Sequence, residues 1–215
     1  MIHLDHAQDA AITHHPHPQI VNSLSREEKI AAITEHFSRI MEILGLDLSH
    51  ASLAKTPERV AHMYIDELFW GLDLDAFPDI SYLENDLMEN PAGMIVVKDI
   101  PIKSICEHHF VPILGSARIA YIPAGKILGL SKINRIVDYF CRRPQLQERL
   151  TAQIADALSI VLETEDVAVS IEAEHLCVTF RGIEHPTSRT HSSVLRGKFK
   201  KDPLQAAFLA QAPTV

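Results

Sequence analysis

The sequence predicts an α+β protein, in which strands and helices occupy separate stretches of the chain. From about Ile95 onward, three stretches rich in β-branched residues alternate with a period of two, as half-buried strands do. Two stretches with apolar residues at helical spacing lie between the second and third of these strands. The part of the chain that precedes them also has helical spacing, so a helical region is expected before the sheet.

The first helix is predicted from a start signal and a stop signal. Ser25 and Glu28 have the spacing of a capping box, in which each side chain accepts a hydrogen bond from the other residue's backbone N–H. Apolar residues then recur at helical spacing as far as Leu44, and Gly45 stands where a helix would end.

A second helix is predicted to begin at Thr56, which would cap it ahead of a proline, and to end near Gly71. These two helices define an N-terminal helical region over residues 23–92. An α+β domain is predicted over residues 93–202, and residues 203–215 are predicted to be a fraying C-terminal tail.

Residues 1–22 are polar and rich in histidine and proline, which predicts a disordered tail. The alternative is loose metal chelation by its histidines, which are His3, His6, His14, His15 and His17.

The strands are predicted in MIVVKDI, SARIAYIP and DVAVSIEAEHLCVTFRG, and the helices in SKINRIVDYFCRR and PQLQERLTAQIADALSIVLET. Residues two apart on a strand share a face. The third strand therefore predicts one face that carries His175, Cys177, Thr179 and Arg181.

Charge and cysteine content exclude several classes of protein. The chain has 20 Lys and Arg against 28 Asp and Glu, a formal net charge of −8, which disfavours binding to nucleic-acid backbones. No secretory signal and no apolar stretch long enough to span a membrane is apparent in the sequence. The three cysteines do not indicate a disulfide framework, and a cytoplasmic location is expected.

Cys106 and His109 have the spacing of two ligands that hold one metal ion from a single turn, and sulfur with nitrogen suits zinc. Cys177 is the candidate third ligand. Two cysteines and one histidine with an open fourth position are typical of catalytic zinc, which lowers the pKa of a bound water toward about 7. The alternative is that both cysteines are small buried apolar residues, which is the interpretation favoured for Cys141.

Basic and polar residues mark two helix starts. Ser131 is predicted to cap a helix on which Lys132 and Arg135 share a face that could bind an anion, although a solvated basic turn is the alternative. Gln147 and Glu148 begin the next helix, where the carboxylate could simply offset the helix dipole.

Three stretches together resemble one family, GTP cyclohydrolase I, over about Glu27 to Lys200. They are TPERVAHMYIDELFWGLD, SICEHHFVPILGSARIAYIPAGKILGLSKINRIVDYFCRRPQLQERL and EHLCVTFRGIEHPTSRTHSSVLRGKF. The resemblance implies conversion of GTP and water to formate and 7,8-dihydroneopterin triphosphate. It also implies an antiparallel sheet backed by two long helices, of the tunnelling-fold type, assembled into a barrel-like pentamer and a homodecamer.

The resemblance also implies a role for each matching residue. Zinc would be held by Cys106, His109 and Cys177; catalysis would use His108, His175 and Ser131; and GTP would contact Arg59, Ser131, Lys132, Arg135, Gln147, Glu148 and Arg181. One departure is His62, where the family commonly has lysine, and it puts one phosphate contact in doubt.

Two other functions compete with this interpretation. One is a zinc-independent enzyme of the same fold that acts on a pterin or deazaguanine, and the Cys-x-x-His spacing argues against it. The other is a non-catalytic, zinc-stabilised oligomer that senses purine nucleotides, which would need neither His108 nor His175.

Overall fold

A computed structural model describes residues 22–84 and 93–210. Its α-helices are α1 (Arg26–Ile43), α2 (Thr56–His62), α3 (Leu130–Cys141), α4 (Gln147–Leu162), α5 (Leu176–Thr179) and α6 (Leu204–Leu209). Its strands are β1 (Tyr82–Glu84), β2 (Ile95–Cys106), β3 (Pro112–Tyr121), β4 (Lys126–Leu128), β5 (Pro144–Gln145), β6 (Val167–His175) and β7 (Thr190–Leu195). The α+β class is confirmed, and the predicted tail lies outside the described residues except for Asn22.

The main sheet is mixed, with the strand order β5-β2-β3-β6-β7. Strands β2, β3, β6 and β7 pair in antiparallel fashion, but β5 pairs in parallel with the end of β2 through Ile105 and Cys106. The prediction of a purely antiparallel sheet is therefore wrong at this edge. The chain returns from α3 in the direction of β2, so its two-residue strand can pair only in parallel.

Helices α3 and α4 share one apolar core with the sheet. Fully buried side chains from both helices and from the strands belong to the same cluster, for example Phe140 of α3, Leu158 of α4 and Ile119 of β3. The prediction that two long helices accompany the sheet is confirmed. Because this core is continuous, the ends of the strands and the start of α4 have fixed relative positions.

The N-terminal helices follow the sequence signals closely but not completely. The capping box is present, since the Ser25 hydroxyl accepts from Glu28 N and the Glu28 carboxylate accepts from Ser25 N. The cap of α2 is Lys55, which makes no side-chain capping bond, whereas Thr56, the predicted cap, is already helical. Beyond α2 the chain continues as a π-helix over Met63–Leu68.

Gly71 connects the N-terminal helices to the end of α3. A β-carbon at this position would collide with the carbonyl oxygen of Tyr139, so only glycine allows this approach. The Gly71 N–H donates to Arg142 O at 3.1 Å, and Arg143 Nε donates to Gly71 O at 2.6 Å. The contact therefore uses the backbone of Gly71, the backbone carbonyl of Arg142 and the side chain of Arg143.

Two predicted features near the C-terminus are wrong. Strand β6 ends at His175, and α5 follows at once, so His175, Cys177, Thr179 and Arg181 do not share a strand face. The turn is closed by a bond from Thr179 Oγ1 to Glu174 Oε1 at 2.7 Å. Leu204–Leu209, predicted to fray, forms α6 instead.

Helix α6 packs against the rest of the domain through Phe208, which is fully buried and contacts the ring of Phe199. Arg118 Nη1 also donates to the carbonyl of Phe208 at 2.8 Å.

Candidate metal centre and active site

The topology of the sheet brings the ends of β2 and β6 together. Both strands run antiparallel to β3, so both end where β3 begins, with Ile105 opposite Pro112 and His175 opposite Ile113. Cys106, the last residue of β2, is held there by its N–H bond to Val111 O at 2.8 Å. Residues that follow the two strands therefore meet at one edge of the sheet.

Cys106, His109 and Cys177 converge at this edge. Each offers one ligand atom, and these atoms all lie within 4.8 Å of one another. A tetrahedral zinc with Zn–S bonds of about 2.3 Å needs ligand atoms roughly 3.5–4 Å apart, so small side-chain adjustments suffice. None of the three cysteines is in a disulfide. The three residues can therefore hold a metal ion, and two thiols with one imidazole suit zinc.

The same three residues differ in exposure. Cys106 is buried, Cys177 is half-buried and His109 is exposed, so the centre has a protected sulfur side and an open imidazole side. Burial, together with the neighbouring Cys106 thiol, raises the pKa of the Cys177 thiol. A divalent cation would reverse this effect because it stabilises the thiolate.

The third cysteine is separate from this centre. Cys141 is 1% exposed in α3, and burial raises the pKa of its thiol to about 12. The prediction that Cys141 is a buried apolar residue is confirmed.

We expect metal to protect Cys177, but not Cys141, from alkylation. In zinc-free folded protein at mildly alkaline pH, iodoacetamide should label the half-buried Cys177 before Cys106, and zinc should suppress both reactions because both thiolates become ligands. Cys141 should be labelled only after unfolding. Peptide mass spectrometry measures each site, and equal labelling of Cys177 with and without zinc would contradict its assignment as a ligand.

The turn that carries His108 and His109 is fixed at both ends. Phe110 adopts a left-handed conformation with φ 54°, and its N–H donates to Cys106 O at 2.9 Å. Glu107 makes a two-pronged ion pair with Arg149 of α4, with N–O distances of 2.5 and 3.1 Å. His108 is exposed, and its Nε2 lies 3.9 Å from Glu107 Oε1. The turn is thus tied to the first turn of α4.

His175 lies at the end of β6 and is held by Gln147. Its Nε2 is 2.8 Å from Gln147 Oε1, and Gln147 is itself 1% exposed. Burial lowers the pKa of the His175 imidazole, while the nearby Glu148 carboxylate opposes that shift. The neutral ring is therefore favoured near neutral pH in the metal-free chain.

Glu148 and Arg181 also lie near this centre, and both are exposed. Arg181 Nη1 is 3.4 Å from His109 Nε2. The side-chain amide of Gln147 contacts backbone and His175 rather than open space, so its predicted contact with guanine stays a prediction.

The roles of Ser131, Lys132, Arg135 and Arg59 stay predictions. Ser131 does not cap α3, because the capping position is Gly129, which has no side chain to do so. Within residues 22–84 and 93–210, no hydrogen bond or ion pair joins Ser131, Lys132, Arg135 or Arg59 to the cysteine and histidine group.

His62, the residue that departs from the family pattern, lies on α2. Its Nδ1 is 2.9 Å from Asp66 Oδ2, and Asp66 also pairs with Arg26.

Arg149 is a residue that the sequence analysis missed. Its position three residues into α4 is typical of a solvated charge, and only the ion pair to Glu107, 42 residues away, connects it to the metal turn. No short-range pattern in the sequence indicates that pair.

The fold and the site together define an α+β protein with a candidate mononuclear metal centre of two cysteines and one histidine. The family model described as GTP cyclohydrolase I matches residues 33–212. The chain belongs to the GTP cyclohydrolase I family, which confirms the predicted family and the prediction of an enzyme.

Curated relatives agree with this assignment. A protein named GTP cyclohydrolase 1 from Aeromonas hydrophila is 52% identical over 194 residues, which cover 90% of this chain and 88% of the relative. Proteins of the same name from Vibrio parahaemolyticus and Aliivibrio fischeri are each 52% identical over 190 and 186 residues, covering 88% and 86% of this chain and 87% and 85% of the relatives. Among the described residues, no helix is long and apolar enough to cross a membrane.

Proposed function

We propose that this chain uses one zinc ion to open the imidazole ring of the guanine of GTP, releasing formate and forming 7,8-dihydroneopterin triphosphate as the first step of tetrahydrofolate or related pterin synthesis. The observation that carries the proposal is the convergence of Cys106, His109 and Cys177 in a member of this family. Their donor atoms suit zinc better than magnesium or calcium, which prefer oxygen ligands.

Cys106, His109 and Cys177 would hold the ion. A bound zinc would supply Lewis-acid chemistry and lower the pKa of water, which would make a strong nucleophile available at neutral pH. Around it, the chain's own residues handle protons. His175 would donate a proton to guanine N7 as the ring opens, and His108 and Ser131 would serve the later proton transfers of ring opening, rearrangement and closure.

Positive side chains would bind the triphosphate. Arg181 already lies beside His109, and Lys132 and Arg135 are on the first two turns of α3, where the helix dipole also favours anions. Arg59 would reach the phosphates from a neighbouring subunit. The proposal thus includes self-association into a homodecamer, with active sites between subunits, and a cytoplasmic location.

Glu148 is proposed to select guanine. Its exposed carboxylate in the first turn of α4 can accept hydrogen bonds from guanine N1–H and the 2-amino group, both absent from adenine.

We expect Glu148→Gln to weaken GTP binding and to reduce the preference for GTP over ATP by about 10- to 100-fold, since the site loses a charged acceptor. Competition binding of the two nucleotides measures this, with the distant, exposed Glu165→Gln as the control. An unaltered preference would exclude this role.

One experiment separates the proposed enzyme from its two alternatives. Zinc per chain is measured by atomic emission, while GTP turnover is followed by formate release and by pterin fluorescence. One zinc per chain with GTP-dependent formate supports the proposal. Zinc without turnover supports a nucleotide sensor, and turnover in fully metal-free protein supports a zinc-independent enzyme, so either result contradicts it.

A further inference from the structure

Gln147 has an unusual set of contacts for an active-site amide. It is 1% exposed, and its Nε2 lies 3.1 Å from Ile171 O, 3.0 Å from Thr190 O and 3.0 Å from Ser192 Oγ. Two of these partners are backbone carbonyl oxygens, which can only accept hydrogen bonds. The side chain is therefore surrounded by acceptors on the side that faces β6 and β7.

These contacts determine the orientation of the Gln147 side-chain amide, that is, which way its oxygen and its NH₂ group face. If the amide were flipped, its carbonyl oxygen would face two other carbonyl oxygens at about 3 Å, and neither of them can donate to it. The NH₂ group must then face Ile171 and Thr190, and Oε1 must face the opposite way. Oε1 lies 2.8 Å from His175 Nε2.

A carbonyl oxygen accepts only, so the Nε2 of His175 must carry a hydrogen. Nε2 therefore keeps its proton whether the ring is neutral or charged, and Nδ1 is the nitrogen that gains or loses one. Within the described parts of the chain, Nδ1 has no hydrogen-bond partner. The ring is thus held by one nitrogen and is available for proton transfer at the other.

We propose that Gln147 is a positioning residue that fixes His175 in its Nε2–H form, so that Nδ1 is the atom that transfers a proton to the substrate. This inference deepens the proposed function and rests on it. Nδ1 first takes up a proton from solvent, which gives the imidazolium. When His175 donates, the Nδ1–H bond breaks and an N–H bond forms at guanine N7. The ring that remains is the neutral Nε2–H form, which Gln147 already stabilises, so no rearrangement of the imidazole is needed between cycles.

Further hydrogen bonds hold Gln147 in place. Thr151 Oγ1 donates to the backbone carbonyl of Gln147 at 2.7 Å and lies 2.7 Å from Ser192 Oγ. Ser192 can therefore donate to Thr151 while accepting from Gln147 Nε2. Strand β7 and the first turn of α4 hold the amide together, which restricts the position of the His175 ring.

The tautomer is tested first in the zinc-loaded wild-type chain. With ¹⁵N-labelled histidine, solid-state NMR distinguishes the protonated from the bare ring nitrogen, and subtraction of the His175→Asn spectrum identifies the signals. At a pH high enough to keep the ring neutral, we expect Nε2 to be protonated and Nδ1 to be bare. A protonated Nδ1 with a bare Nε2 overturns the proposal. This measurement does not depend on turnover, so it stands apart from the failure or success of the proposed reaction.

The second test compares Gln147→Met with Gln153→Met. Gln153 is equally buried in α4 and bonded to Gln145 rather than to His175, so it controls for the loss of a buried amide. Zinc content should equal wild type in both variants. We expect kcat for GTP to fall about 10- to 100-fold more in Gln147→Met, because the imidazole that transfers the proton loses its positioning bond.

Equal kcat in the two methionine variants, or an unchanged ring spectrum in Gln147→Met, would overturn the proposal. If Gln147→Met does not fold, the wild-type spectrum alone decides.

Discussion

Cys177→Ser is expected to remove zinc binding and GTP turnover together. A serine hydroxyl remains protonated at neutral pH and is a harder ligand, so the site would retain only one thiolate and one imidazole. Zinc content should fall from one ion per chain to near zero. Turnover should fall by at least about 10³-fold, because the activated water is lost with the ion.

Cys141→Ala is the matched control for this change. It also removes a thiol, but from a position in α3 whose side chain is sealed in the core. That variant should lose some stability and keep its zinc. Zinc bound at the wild-type stoichiometry and affinity in Cys177→Ser would show that this sulfur is not a ligand.

The metal ligands were predictable because most of their information is local. Cys106 and His109 are three positions apart, so their spacing alone indicates one ion and one turn. Cys177 required a choice between two remaining cysteines, and the apolar helical surroundings of Cys141 decided it. What the sequence did not show is why Cys177 arrives at the same edge, since this depends on the antiparallel pairing of β6 with β3.

The end of β6 was mispredicted because alternation of apolar and polar residues continues past it. Leu176, Val178 and Phe180 place an apolar residue at every second position beyond the strand, and the bond from Thr179 to Glu174 closes the turn there. Such a turn depends on a single side-chain contact that has no periodicity to detect. Strand β5 was missed for a related reason, because two residues are too short to show any period.

The contacts of Gln147 and the position of α6 depend on residues far apart in the chain. Ile171 and Thr190 lie 24 and 43 residues from Gln147, and Arg118 reaches α6 across 90 residues. Sequence patterns describe a segment's own periodicity and caps, whereas these bonds arise only when the sheet has formed. For this reason the orientation of His175 was accessible only from the structure.

His175→Ala is expected to keep zinc and lose most turnover. His175 is not among the three converging ligands, so the ion should remain at one per chain. Proton transfer by a positioned side chain contributes about 10²- to 10⁴-fold, and kcat should fall by an amount in that range. Formate release under single-turnover conditions is the appropriate measurement, because it reports ring opening separately from product release.

His191→Ala provides the comparison that makes this result specific. His191 lies on the neighbouring strand β7, is exposed and bonds to Ser170, so its loss should disturb the sheet edge without affecting the reaction. Comparable loss of turnover in both variants would point to disturbance of the sheet rather than to chemistry. Unchanged turnover in His175→Ala would remove this residue from the reaction, and another group, with His108 the first candidate, would have to protonate N7.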